Sequence, residues 1–99
     1  MGGLIKIYML VHGIVQGVGY RAYVKGQADK FSIKGYAKNL DDGSVEVFAI
    51  GSDDSIDAFA NSIHINVEHG PDVFYIEKRK EGEEGFVDRG IYESFRIMK

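Results

Sequence analysis

The sequence predicts an α+β, ferredoxin-like β-α-β-β-α-β sandwich: an antiparallel, at most mixed, sheet with two helices on one face and a short additional C-terminal strand. Three observations lead there. Apolar residues alternate at period two in several short segments, two stretches switch to helical spacing, and "DDG" at 41–43 separates two adjacent strand-like runs.

The first strand is expected over 4–12, "LIKIYMLVH", where Ile5, Ile7, Met9 and Val11 share one face and Lys6, Tyr8 and Leu10 take the other. After a glycine-rich stretch, Tyr20, Val24, Ala28 and Phe31 recur at helical spacing with Lys25, Gln27, Asp29 and Lys30 between them. That is an amphipathic helix laying one stripe on a sheet. Ile33, Tyr36 and Leu40 fit a second strand, and "SVEVFAIG" a third with Val45 and Val47 on one face, so that "DDG" closes a β-hairpin. Ser52 or Asp53 can cap a second helix with a buried stripe of Ile56, Phe59, Ala60 and Ile63, in a region that closes at Gly70-Pro71. "DVFYIEKRK" is a fourth strand, "EGEEGFVDRG" an exposed loop or frayed strand end, and "YESFRIMK" closes with Phe95 and Ile97 in strand register. The whole is expected to be one domain over 1–99.

Ninety-nine residues with 44% hydrophobic content can bury one core. The chain has no cysteine, which excludes a disulfide framework, a thiol nucleophile and a cysteine-based zinc site. Twelve Lys and Arg stand against fifteen Asp and Glu, a net charge of −3 without the broad basic excess of a non-specific nucleic-acid binder. No apolar run approaches the roughly 20 residues of a membrane span, and the N-terminus lacks the pattern of a signal peptide. A cytoplasmic monomer, with neither nucleic acid nor membrane as partner, is expected.

"HGIVQGVGYR", from His12 to Arg21, joins the first strand to the first helix. Glycines at 13, 17 and 19 let successive backbone N–H groups point inward as a nest, and a helix start adds unsatisfied N–H groups and a positive dipole end. Arg21 contributes a fork of donors suited to a phosphate or carboxylate. The spacing belongs neither to a P-loop nor to a dinucleotide fingerprint. On residues alone, an anion site and a plain glycine-rich connection both stand. Asn39 is likewise double: a turn residue before "LDDG", or a neutral amide that orients a water by accepting from it and donating to a substrate oxygen.

His12, His64 and His69 show no metal-ligand spacing, and Asp41 and Asp42 read as turn formers. No serine elbow is present. Any enzyme built from these residues works mainly by binding and positioning.

"GIVQGVGYR" at 13–21 followed by "KGYAKNLDDGSVEV" at 34–47 resembles the acylphosphatase family, and "FRI" at 95–97 is similar to that family's closing strand. The resemblance implies a phosphate-binding loop at Val15, Gln16, Gly17, Val18, Gly19 and Tyr20, a phosphate-binding arginine at Arg21 and a water-positioning asparagine at Asn39. It implies hydrolysis of acyl phosphates, mixed carboxylic–phosphoric anhydrides, to carboxylate and inorganic phosphate, with no metal and no cofactor. Inorganic phosphate would be both product and inhibitor. Ile14 stands where many members carry a basic residue, Tyr20 replaces a frequent Phe, and Lys99 a terminal aromatic. Two other readings compete: an inactive anion-binding or regulatory domain on the same scaffold, and an RNA-binding module of similar topology. "KGYA" at 34–37 suggests the latter superficially, but further sheet-face aromatics are missing there and the charge is negative.

Overall fold

The computed structural model describes residues 3–99. Its elements are β1 (Ile5–Ile14), α1 (Tyr20–Lys30), β2 (Lys34–Asn39), β3 (Val45–Gly51), α2 (Asp53–Ser62), β4 (Asp72–Lys80) and β5 (Phe95–Met98). One five-stranded sheet runs in the order β4-β1-β3-β2-β5. The β1–β3, β1–β4 and β2–β3 pairs are antiparallel, while β5 joins β2 in parallel, so the sheet is mixed. Among the described residues, no helix is long and apolar enough to cross a membrane.

Period-two alternation explains the main core. Ile7, Met9 and Val11 of β1, Ala37 of β2, and Val45, Val47 and Ala49 of β3 are all buried beneath the helices. Against them lie Tyr20, Val24 and Ala28 of α1 and Ile56, Phe59 and Ala60 of α2, with Ile63 just beyond its end. Ser52 caps α2, its side chain accepting from the Ser55 backbone N–H at 3.2 Å. That helix stops at Ser62, well before Gly70-Pro71. Asn66 instead bridges to Asp72, and the Val67 N–H donates to the Pro71 carbonyl at 2.8 Å, closing a turn that feeds β4.

The stretch 81–90 is a mostly exposed loop, as expected, but it does more than connect. Its acidic residues and glycines face solvent, but Phe86 and Tyr92 fold across the sheet's second face onto Tyr36, Phe48 and Ile50. All seven residues of β3 are consequently buried, not one alternate set. The Phe48 and Tyr92 rings meet edge to face at 6.1 Å. Glu46, buried beneath this strap, accepts from the Tyr8 and Tyr36 hydroxyls, and Arg89 of the strap lies 3.5 Å from it. Phe86 within the acidic run and Tyr92 just after it carry no periodicity, so their role depends on which face they meet.

The β1–β4 register shifts between His12 and Gly13. Gly13 has φ 147°, and a Cβ there would lie 2.2 Å from the Asp72 carbonyl oxygen. Only glycine lets β1 continue past β4 into the loop that follows. Gly13→Ala is expected to lower the unfolding free energy by about 2–4 kcal/mol, combining backbone strain and steric clash. Urea denaturation would measure it.

Candidate active site

The loop after β1 closes over one end of the sheet. Gly17 and Gly19 both adopt left-handed backbone, at φ 75° and 77°, and open space surrounds the place where each Cβ would stand. Conformation, not crowding, requires glycine there. Gly19 is also the residue that starts α1, and it brings no side-chain cap. The two helix starts differ in this respect. α2 has Ser52 on its amides and Asp53 and Asp54 in its first turn, whereas α1 has neither a cap bond nor an acidic residue there. The N-terminus of α1 therefore presents amides and a positive dipole end that its own side chains do not neutralise.

A cavity of about 200 Å³ lies at this helix start, lined by Val15, Gly17, Gly19, Tyr20 and Arg21 from the loop and helix, and by Asn39 from the end of β2. Two residues remote in sequence thus face one space. The Arg21 guanidinium donates from Nη1 to the Met98 carbonyl at 2.6 Å, which fixes the side chain against β5. Asn39 Oδ1 is a buried acceptor with no hydrogen-bond partner among the described residues. A buried amide oxygen without a partner is uncommon in folded proteins.

Gln16 and Val18 lie outside the lining. Val18 packs against the main core, while the Gln16 side chain turns to the β2–β3 hairpin. Its amide nitrogen donates to the carbonyls of Leu40 at 2.7 Å and Ser44 at 2.9 Å. This one amide ties the loop to the turn that follows Asn39. Its sequence signal was only a polar residue among glycines and valines, which marks the loop without giving the direction of the side chain. Tyr20 is buried, and its hydroxyl donates to the Ile63 carbonyl at 2.8 Å. Burial, with a smaller contribution from nearby Tyr23, pushes its phenol well above the usual range, so Tyr20 is a neutral anchor for the helix start.

The acidic hairpin residues serve the turn. Asp42 accepts from the Ser44 hydroxyl and backbone N–H, and these bonds hold its carboxyl below the usual carboxylate range. His12 stacks on Tyr75 with ring centroids 4.4 Å apart and pairs with Glu77 at 2.7 Å, outside the cavity lining. Among the described residues, no group of three or more His, Cys, Asp or Glu gathers in a way that could hold a metal ion.

The family model described as Acylphosphatase matches residues 7–97. This chain belongs to the acylphosphatase family. An acylphosphatase of Actinobacillus succinogenes is 40% identical over 96 residues, covering 97% of this chain and 100% of the relative. One from Pasteurella multocida is 38% identical over 94 residues, covering 95% and 98%. The crystal structure of acylphosphatase from Bacillus subtilis superposes with a TM-score of 0.78 at 29% identity, covering 96% of this chain and 99% of that one. Within this chain the Gln16 bridge is the physical link between the loop and the turn after Asn39.

Gln16→Ala is expected to lower the unfolding free energy by about 2 kcal/mol, at about 1 kcal/mol for each lost hydrogen bond. Chemical denaturation would test this, since both carbonyls keep a backbone donor in the hairpin.

Proposed function

We propose that the protein hydrolyses acyl phosphates to a carboxylate and inorganic phosphate, with the phosphoryl group held by the 15–20 loop and Arg21 and the attacking water oriented by Asn39. The observation that carries this reading is that Asn39, whose buried Oδ1 has no partner among the described residues, lines the same cavity as Arg21 and the start of α1.

The phosphoryl oxygens bring concentrated negative charge, and loop amides, the helix dipole and the guanidinium all favour it in that place. Arg21 is held by the Met98 carbonyl through one nitrogen, leaving the remainder of its fork to meet two phosphoryl oxygens. Asn39 Oδ1 accepts a hydrogen bond from the water and so directs a lone pair at phosphorus. The new P–O bond forms as the bond to the acyl oxygen breaks, and the electron pair leaves on the carboxylate. A carboxylate is a stable leaving group, so no strong general acid is required. The water's proton passes to a phosphate oxygen, giving carboxylate and dihydrogen phosphate. The rate then derives from position and charge. Family membership supports the substrate class, and the cysteine-free composition is in keeping with a cytoplasmic enzyme. The competing idea of an inactive anion-binding domain differs in one respect: it gives no use to an oriented acceptor at Asn39.

Arg21→Ala is expected to reduce kcat/KM for benzoyl phosphate by about 10³-fold or more, with loss of competitive inhibition by inorganic phosphate. Asn39→Ala is expected to reduce kcat by about 10²-fold or more while the inhibition constant for phosphate stays near that of the parent enzyme. Steady-state hydrolysis with phosphate as competitor measures both. Retained turnover in Arg21→Ala, or an effect of Asn39→Ala confined to KM, would contradict the assigned roles.

A further inference from the structure

The cavity has a side that phosphate chemistry does not use. Beyond its polar lining it meets Ala22, the residue after Arg21, and Ile97 of β5. Ile97 is 43% exposed, although its same-face strand neighbour Phe95 is 3% exposed and its cross-strand partner Ala37 is fully buried. The parallel register explains where it lies. Ala37 pairs with Ile97 and Lys38 with Met98, so Ile97 and Asn39 point to the same face of neighbouring strands, one step apart along the sheet. The next residue on β5 supplies the carbonyl that holds Arg21. A half-exposed apolar side chain thus lines the same cavity as the two residues assigned to the reaction.

We propose that Ile97, with Ala22, forms the subsite for the acyl group, and that this subsite favours uncharged, apolar acyl groups such as aromatic or branched ones. This rests on the acyl-phosphate reading above. With the phosphoryl group on the loop and Arg21, the acyl group has to leave the polar end of the cavity, and Ile97 and Ala22 are the apolar surface beside it. Covering the exposed part of Ile97 removes apolar area from water on both partners. Among the described residues, Arg21 is the one charged side chain lining the cavity, so an acyl group with its own carboxylate or phosphate finds no second cation there. Selectivity between acyl phosphates therefore arises from contact area at Ile97, while the phosphoryl grip is common to all of them.

Ile97→Thr tests this, because threonine keeps the β-branch suited to a strand and replaces apolar surface by a hydroxyl. Ile97→Val is the conservative control. The readouts are kcat/KM for benzoyl phosphate and for acetyl phosphate, and the inhibition constant of inorganic phosphate. In Ile97→Thr the preference for benzoyl over acetyl phosphate is expected to fall about five- to tenfold, the low end for an apolar contact in a pocket, with phosphate inhibition unchanged. Ile97→Val is expected to retain most of the preference. Equal loss on both substrates with weakened phosphate inhibition would make Ile97 a support for Arg21 and overturn the subsite. No change in either variant would also overturn it. A parent protein inert to both substrates would overturn the hydrolase reading, and the subsite with it.

Discussion

The site depends on a loop after β1 and a hairpin between β2 and β3 being held at one separation, and the Gln16 side chain is the bond that sets it. Its amide donates to the carbonyls of Leu40 and Ser44, which flank the turn, while the residue before that turn is Asn39. Neither partner is rigid alone: the loop contains two left-handed glycines, and the hairpin tip is exposed at 41–43. A fork of two hydrogen bonds to backbone turns two adaptable segments into one wall. Arg21 is fixed in a similar way through the Met98 carbonyl, so side-chain-to-backbone bonds tie the site to two of the strands around it.

The sheet makes this possible by being packed on both faces. The helices cover one face with an aliphatic core, and the strap carrying Phe86 and Tyr92 covers the middle of the other. Glu46 is the polar centre of that second layer, with two tyrosine hydroxyls donating to it and Arg89 nearby. Burying a carboxylate is costly unless its oxygens are paired, and here both are. β3 is held from both sides, which steadies the hairpin it shares with β2 and hence the position of Asn39.

Chemistry at such a site is economical because the proposed substrate carries its own leaving group. The uncapped start of α1 and the capped, acidic start of α2 show the same backbone physics used in two ways. One helix satisfies its terminal amides internally. The other has no side chain on them, and under the proposed function they meet the phosphoryl group.

Much of this was written locally. Period-two and helical spacing determined the strands, the helices and the main core, because each is a repeat within one segment. The glycines, Arg21 and Asn39 stood out as candidates in two motifs that resemble the acylphosphatase family, and Gly17, Gly19, Arg21 and Asn39 line one cavity. The direction of Gln16, the packing of half-buried Phe86 and Tyr92 on the second face, the anchoring of Arg21 by Met98 and the exposure of Ile97 were decided only by the tertiary structure. Each follows from which segments become neighbours. Arg21 and Met98 are 77 residues apart, and β5 meets β2 in parallel at the sheet's edge. A residue's pattern along the chain determines which face of its own element it occupies. What it touches depends on the element placed opposite, and no local repeat encodes that.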